Sequence, residues 1–257
     1  MKAKMIQIKT EEQIGGIRKS CHLVASLMEK LGSFLQEGMT THDIDKFCYD
    51  FIIDHHAAPA FLHFDGFPAT ACISVNEEVI HGIPSKSRRV HAGDLVDIDL
   101  GTNLDGYYSD MARTFIIGGK TSEKWQKLNT VTERCLQLGI EAAGRPHARI
   151  QDIGAAVFKL ADAHGYGVVR DYCGHGVGLE VHEDPEIPNY TSSMMPNPRI
   201  REGMVIAIEP MINLGTKNIR ETSNGWTVVT ADGEPSSHFE DTVAITRNGL
   251  EVLTVTD

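Results

Sequence analysis

Four acidic residues lie within or beside apolar, strand-like segments of the chain: Asp99, Asp110, Glu209 and Glu240. A carboxylate buried among apolar side chains is very costly unless a counter-charge lies beside it. Basic residues are scarce in these segments, and Arg113 is the main one. Several carboxylates with too few cationic side chains predict a site for metal ions.

A histidine among glycines is a natural fifth ligand for such a site. His175 lies in the segment GHGVG at 174–178, where small residues let backbone and metal approach closely. The glycine spacing is not that of a dinucleotide-binding fingerprint, which also needs a following helix. Glycine-flanked histidines are common in loops, so this segment alone is a weak signal.

Each acidic residue also has an ordinary structural interpretation. An Asp or Glu within an antiparallel strand often faces water, and taken singly Asp99 fits that description. Asp97, two residues away on the same predicted strand face, is interpreted as such a water-facing residue. The joint occurrence of the four carboxylates and His175 is what favours a metal site.

The elements that must position these residues begin with two helices. Thr10 and Gln13 form a capping-box pattern. Apolar residues then recur at three- and four-residue steps over 14–35, until Gly38 ends the run. A second helix is predicted to begin near Thr41.

A second pair of helices is predicted from about 122 to 143 and from about 150 to 164. Superposing this pair on the first places Asp152 on Asp43 and His164 on His55. Each pair leads into strand-like segments rich in Val and Ile. The match is short, but it favours two α/β halves related by duplication.

Strands are predicted for most of the remaining chain, at 94–100, 107–117 and 204–212. The segments 226–230 and 238–246, joined through the turn ADGE, are predicted to form a hairpin. The result is an antiparallel sheet backed by two helix pairs. No low-complexity run or linker divides the chain, so residues 1–257 are interpreted as a single domain.

Composition narrows the functional classes. The 257 residues carry 24 Lys and Arg against 35 Asp and Glu, a formal net charge of −11, which argues against nucleic acid or an anionic membrane as partner. The 5 cysteines are scattered without a CxxC pair and indicate neither a disulfide framework nor a zinc knuckle. No signal-peptide apolar region or membrane-spanning stretch is found in the sequence. A cytoplasmic monomer is expected.

Six segments together resemble one family. In chain order they are SVNEEVIHGIP (74–84), VDIDLG (96–101) with Asp110 following, CGHGVGLEVHEDP (173–185), GMVIAIEPM (203–211), NGWTV (224–228) and HFEDTVAIT (238–246). In this order, and across essentially the whole chain, they are similar to type I methionine aminopeptidases. The resemblance implies an α/β pita-bread fold, in which two pseudo-symmetric halves form one curved antiparallel sheet backed by helices.

The same resemblance implies a set of metal ligands. Two divalent ions would be held by Asp99, Asp110, His175, Glu209 and Glu240, with Asp110 and Glu240 bridging. Oxygen ligands with one imidazole suit Mn²⁺, Fe²⁺ or Co²⁺, and Zn²⁺ also fits. Two such ions would lower the pKa of a water between them and bind the unprotonated amine of a peptide N-terminus.

Two histidines and one of the ligands complete the chemistry that the resemblance implies. His182 would hydrogen-bond the scissile peptide and stabilise developing charge, and His81 would lie near the leaving nitrogen. Glu209 would accept a proton from the attacking water. Without the resemblance, His81 is interpreted as a loop histidine before the turn at 82–84.

The resemblance also implies a pocket for the methionine side chain, formed by Phe64, Phe67, Cys72 and Trp226, although each also fits an ordinary core position. The sequence departs from the family pattern here. Phenylalanine replaces the usual tyrosine at Phe64 and Phe67, Val181 replaces an aromatic residue, and His238 stands where glutamine is common. These changes leave the chemistry intact and the fine substrate preference open.

The implied activity is removal of the initiator methionine from nascent polypeptides whose second residue is small and uncharged, at the ribosome. The nearest alternative is a peptidase of the same fold that acts beside proline, such as a prolidase or an aminopeptidase P. Those enzymes usually carry a large additional N-terminal domain. A type II methionine aminopeptidase would need a helical insertion, and a noncatalytic binding protein of this fold would lack ligands that this chain retains.

Overall fold

The computed structural model describes residues 5–256, and within them it contains four α-helices and sixteen strands. The helices are Glu11–Phe34 (α1), Thr41–Asp54 (α2), Glu123–Ala143 (α3) and Ile150–Ala163 (α4). The strands of the first half are Ala58–Pro59 (β1), Cys72–Val75 (β2), Glu78–Ile80 (β3), Leu95–Leu100 (β4), Thr102–Leu104 (β5), Tyr107–Tyr108 (β6) and Met111–Ile116 (β7). Those of the second half are Gly167–Val168 (β8), Gly174–Gly176 (β9), Glu183–Ile187 (β10), Val205–Ile208 (β11), Met211–Asn213 (β12), Ile219–Glu221 (β13), Val228–Thr230 (β14), Ser236–Thr246 (β15) and Gly249–Val252 (β16).

Local side-chain chemistry determines where the first helix begins. The Thr10 hydroxyl accepts a hydrogen bond from the Gln13 N–H, and the Gln13 side chain accepts one from the Thr10 N–H, which confirms the predicted capping box. The helix ends at Phe34, before the predicted stop at Gly38, because Leu35 already has an extended backbone. A second capping box at Thr40 begins α2 where the sequence predicts it.

The two helix pairs are arranged alike. Helices α2 and α4 each have 14 residues, and their first residues, Thr41 and Ile150, are related by the same shift that superposes Asp152 on Asp43. An isolated bridge joins the residue before each short helix to a later segment, Thr40 to Arg89 and Arg149 to Arg199. Each half therefore runs long helix, short helix, then strands.

The two halves share one antiparallel sheet of ten strands. Its main path is β10-β9-β11-β15-β7-β4-β2, and β12, β16 and β8 attach beside this path. Strands β4 and β7 come from the first half and β11 and β15 from the second, so the halves join where β7 pairs with β15. The predicted sheet, built from both halves and backed by helices, is confirmed.

Two of the predicted strands are interrupted at acidic residues, where the expectation of continuous strands was wrong. The segment 107–117 divides around Asp110, because β6 pairs with β5 in a separate small sheet whereas β7 pairs with β4. The segment 204–212 divides around Glu209 and Pro210, and a proline has no N–H to donate to a sheet ladder. Both interruptions carry a carboxylate out of the regular ladder.

The predicted hairpin of 226–230 with 238–246 is also wrong. Strand β14 pairs with β13 and β3, whereas β15 pairs with β11 and β7 in the large sheet. The segment between them closes as a turn in which the Thr230 hydroxyl donates to the Glu234 carbonyl. The chain thus passes from one sheet to another at this turn.

The helices cover one face of the sheet and leave the acidic face opposite. Val96, Ile98 and Leu100 of β4 pack in one cluster with the apolar side chains of α1 and α2. A second cluster joins α3 and α4 to β11 and β15. Because side chains alternate along a strand, Asp97 and Asp99 point away from the helices. Within residues 5–256, none of the helices combines the length and apolar character needed to cross a bilayer.

Candidate active site

The registers of three central strands bring acidic residues together. Ala112 on β7 pairs with Asp99 on one side and with Glu240 on the other. Asp110 lies just before β7, and its carboxylate oxygen comes within 4.8 Å of ligand atoms of both Asp99 and Glu240. A small residue at 112 therefore has three carboxylates around it.

A second group of ligand atoms adjoins the first. Ile208 pairs with Asp241, so Glu209 lies beside Glu240 at the end of β11. His175, Glu209 and Glu240 place ligand atoms within 4.8 Å of one another, and Asp110 forms a similar group with His175 and His182. The His175 Nε2 atom lies 3.5 Å from Glu209 Oε1 and 3.7 Å from Asp110 Oδ2. Asp110 and Glu240 thus adjoin both Asp99 and His175, as bridging ligands must.

Glycines on both sides of His175 allow its strand to reach this position. A Cβ atom at Gly174 would lie 2.3 Å from the Ala207 carbonyl oxygen, and one at Gly176 would lie 2.4 Å from that of Asp184. The His175 Nδ1 lies 2.9 Å from the Gly176 carbonyl oxygen, a contact that requires the proton on Nδ1 and leaves Nε2 free to ligate. Burial, with the nearby charge of His182, lowers the pKa of His175 to about 3, so the ring is neutral as ligation requires.

The residues present fit divalent cations. One carboxylate oxygen each of Asp99, Asp110 and Glu240 is buried without a hydrogen-bond partner among the described residues. Burial, reinforced by neighbouring carboxylates, raises the pKa of Asp110 to about 8 and that of Glu209 to about 7, and raises those of Asp99 and Glu240 well above the ordinary value. Divalent cations would supply the missing partners and favour the ionised carboxylates.

A cavity of about 210 Å³ opens onto these carboxylates. Its lining includes every predicted substrate-contacting residue: Phe64, Phe67, Cys72, His81, His182 and Trp226. Cys72 pairs directly with Asp99 across β2 and β4, which places the thiol next to the carboxylate cluster. The structure therefore brings all the predicted ligands and all the predicted pocket residues to one place.

Ring contacts position His81 and His182, which both line the cavity. His182 packs edge to face against Phe64 at 5.1 Å between ring centroids and against His175 at 4.2 Å. His81 packs edge to face against Tyr172 at 5.4 Å. The backbone of His81 is left-handed, with φ of 57°, and such a conformation is uncommon outside glycine and is frequent at functional sites.

Comparison with known proteins is consistent with this geometry. Residues 15–247 match the sequence profile of Metallopeptidase family M24. The chain belongs to this family. A methionine aminopeptidase from Treponema pallidum is 51% identical over 250 residues, which cover 97% of this chain and 96% of that protein. The crystal structure of a methionine aminopeptidase from Thermotoga maritima matches with a TM-score of 0.93 at 38% identity, covering 98% of this chain and 100% of that one. The predicted family and the pita-bread fold are confirmed.

Proline-directed members of the M24 family match less completely. The prolidase from Pyrococcus furiosus has a TM-score of 0.74 at 28% identity. The match covers 97% of this chain but 66% of the prolidase. The prolidase therefore contains a substantial part that lies outside the shared fold, as expected for that alternative.

The interpretation of Asp97 as a water-facing residue was wrong. Its exposed fraction is 3%, and its Oδ2 lies 3.3 Å from Nδ1 of His238, which is itself 1% exposed. Desolvation lowers the pKa of His238, but the charge and hydrogen bond of Asp97, together with the charges of Asp99 and Glu209, outweigh it and raise that pKa to about 9. The face shared with Asp99 and Glu240 is the interior of the site, so it cannot present Asp97 to water.

Sequence reasoning also missed two residues that line the cavity, Phe61 and Asp65. Their only signal was nearness to Phe64 in the chain. Val181, by contrast, packs with Phe61 and Phe67 in a buried cluster and has an exposed fraction of 5%. The residue at 181 therefore supports the wall of the cavity from behind.

Proposed function

We propose that this chain is a metal-dependent aminopeptidase that removes N-terminal methionine. The observation that carries this proposal is the cavity, in which an apolar, aromatic slot ends at a cluster of buried carboxylates and histidines. Relatives that match almost the full chain and are named methionine aminopeptidases support it. An aromatic and thiol lining suits the polarisable thioether of methionine.

We infer that the site takes two divalent ions, of Co, Mn, Fe or Zn. Asp99 and Asp110 would hold one, His175 and Glu209 would hold the other, and Asp110 and Glu240 would be shared. Two ions held by these residues would supply a water of lowered pKa and would polarise the scissile carbonyl. The unpartnered buried oxygens of Asp99, Asp110 and Glu240 support this assignment.

The chain's own groups position the peptide and move its protons. Glu209, whose pKa burial raises to about 7, is suited to accept a proton near neutral pH. His182 donates a hydrogen bond to the scissile peptide and stabilises the negative charge that develops there. His81 has a pKa that burial, then the charges of His182 and His238, lower to about 4, so a neutral ring faces the leaving nitrogen.

The same geometry supports a preference at the second residue of the substrate. A peptide whose first side chain fills the part of the cavity lined by Phe67 and Trp226 would place its second residue near His81 and His182, which line the same cavity. Small, uncharged second residues fit this part of the cavity best. The proposed substrates are nascent polypeptides, which a monomeric, single-domain enzyme would meet at the ribosome in the cytoplasm. The net charge of −11 supports a role in which nucleic acid is not a substrate.

The test is a peptide assay on the full chain, depleted of metal and then reconstituted separately with each of the four ions. We expect cleavage of Met-Ala-Ser, little cleavage of Met-Lys-Ser or Leu-Ala-Ser, and none with an Asp99→Asn control. Measured metal content should show two ions per chain. A preference for Xaa-Pro peptides over Met-Ala-Ser would replace this proposal with the prolidase-like alternative.

A further inference from the structure

The loop of residues 222–227 lies against the segment that carries His81. Val228, at the start of β14, pairs with Ile80, at the end of β3, so the next pair in this register would be Thr227 with His81. The ladder stops there, and His81 has a left-handed backbone with φ of 57°, which a strand cannot continue. Thr227 is 4% exposed, and its side chain takes the place of the missing ladder bonds.

The Thr227 hydroxyl uses its full capacity for hydrogen bonds. Its oxygen accepts from the Asn224 amide at 2.8 Å and from the Ile83 N–H at 3.4 Å. Its own proton goes to the His81 carbonyl at 3.3 Å. A hydroxyl has one proton to donate and accepts at most two. Because the other two partners are donors, His81 is the one of the three that can receive this proton.

Asn224 sets the orientation of the Thr227 hydroxyl. The Asn224 Oδ1 atom accepts from the N–H groups of Trp226 and Thr227, both at 2.9 Å, so Nδ2 is the amide atom that faces the hydroxyl. A donor at Nδ2 excludes the hydroxyl proton from that side and directs it towards His81. The same amide closes the loop that carries Trp226, which lines the cavity together with His81.

The opposite side of the His81 segment is held by β2. A Cβ atom at Gly82 would lie 2.1 Å from the Ile73 carbonyl oxygen, and the Gly82 carbonyl accepts from the Ile73 N–H at 2.8 Å. The Gly82 N–H donates to the Ser74 hydroxyl at 3.2 Å. Thr227 and β2 therefore hold this backbone from two sides, as a left-handed residue other than glycine requires of its surroundings.

We propose that Thr227 is a positioning residue whose hydroxyl, oriented by Asn224, holds the His81 carbonyl and so sets the direction in which the His81 ring enters the cavity. The proposal rests on the proposed function in that His81 serves the leaving nitrogen of the peptide. Thr227 is not one of the described residues that line the cavity, so it acts on the reaction through His81. The alternative is that the hydroxyl only satisfies buried backbone groups.

Three variants separate these possibilities. Thr227→Val removes the hydroxyl at nearly constant volume, whereas Thr227→Ser keeps it. Asn224→Asp keeps an acceptor for the two loop N–H groups but replaces the amide donor with an acceptor, so the hydroxyl proton turns from His81 to the new carboxylate. It also replaces Thr227→Val as the test should that variant fail to fold. Thr132→Val is the matched control, because Thr132 is buried in α3 and its hydroxyl donates to the Leu128 carbonyl at 2.9 Å.

The measurement is kcat and KM for Met-Ala-Ser with the metal-reconstituted full chain, with and without His81→Asn, since asparagine tolerates a left-handed backbone. We expect Thr227→Val and Asn224→Asp to lower kcat by about 10- to 100-fold. KM should change much less, because both variants keep an acceptor for the Trp226 N–H. Thr227→Ser and Thr132→Val should stay within a few-fold of wild type. In the His81→Asn background, Thr227→Val should lower kcat little further, because the ring through which it acts is already gone.

Histidine NMR spectra of the metal-free proteins give a second readout that needs no turnover. The His81 ring signals should shift in Thr227→Val and Asn224→Asp and stay unchanged in Thr132→Val. An equal loss of kcat from Thr227→Val with and without His81→Asn, or unchanged His81 ring signals in Thr227→Val, would overturn the proposal. A wild-type protein that does not cleave Met-Ala-Ser would refute the aminopeptidase assignment, and the ring signals would then decide by themselves whether Thr227 positions His81.

Discussion

The buried ion pair of Lys9 with Glu183 links the start of the chain to the loop that carries His182. The Lys9 ammonium donates to the Glu183 carboxylate, and the side chains are 1% and 0% exposed. The other oxygen of Glu183 accepts from the N–H groups of Leu179 and Glu180, at 2.8 Å and 3.2 Å. The Glu183 carboxylate thus closes the turn before His182 and ties this turn to the segment that caps α1.

Replacing Lys9 with methionine should destabilise the fold severely. It leaves the Glu183 carboxylate buried without its cation, and breaking a buried pair from one side costs about 3–5 kcal/mol. That loss is a large part of the roughly 5–15 kcal/mol that stabilises a typical domain. Lys9→Met with Glu183→Gln removes both charges and keeps an oxygen for the two loop N–H groups, so it should recover at least half of the loss.

The assay is urea unfolding of the two variants, together with kcat and KM for Met-Ala-Ser. Arg18→Met is the matched control, since its partner Glu251 and Arg18 itself are 39% and 34% exposed and an exposed pair contributes about 0–1 kcal/mol. Displacement of His182 by about 1 Å in Lys9→Met should lower kcat by up to about 10²-fold at unchanged metal content. Equal losses of unfolding free energy in Lys9→Met and Arg18→Met would refute the reasoning.

Three further predictions concern the site itself. Alanine at Asp99, Asp110 or Glu240 should abolish both turnover and metal binding, and a variant that keeps its metal content would not be a ligand variant. His182→Ala should keep its metal and lose about 10²- to 10³-fold in kcat, measured beside metal analysis, and a parallel loss of metal would make His182 a ligand. Burial lowers the pKa of His81 from 6.5 to about 4, so the ring should stay neutral in an NMR titration from pH 8 to 6. The neutral buried ring stabilises the fold above about pH 6.5, and this stabilisation is lost as the pH falls towards 4. The His81→Asn variant should lack this pH dependence of the free energy of unfolding.

The parts of the fold that the sequence predicts well depend on neighbouring residues. The capping box of Thr10 and Gln13 involves groups three residues apart, and the start of α2 at Thr41 follows from the same chemistry. The hairpin predicted for 226–230 with 238–246 was wrong because strand pairing depends on residues that are far apart in the chain. Alternation along a strand tells which side chains share a face, but not which strand lies beside it, and β14 pairs with β3 from the other half of the chain.

The residues of the site also differ in whether the sequence alone could identify their roles. A carboxylate in an apolar strand signals its own need for compensation, so Asp99, Glu209 and Glu240 could be singled out from the sequence. Asp97 carried the same signal, but its partner His238 lies 141 residues away, and the pairing depends on the register of three strands. Asp97 was therefore assigned to water although the structure compensates its charge internally.

Charge compensation also bears on the number of metal ions. The buried cluster contains the carboxylates of Asp99, Asp110, Glu209 and Glu240, while His175 is neutral and Asp97 is balanced by His238. One divalent ion would leave two ligand charges without compensation in a site where each is costly. Two divalent ions balance all four, so the charge count favours a dinuclear site over a mononuclear one. Because Asp97 and His238 balance each other, they leave this count unchanged.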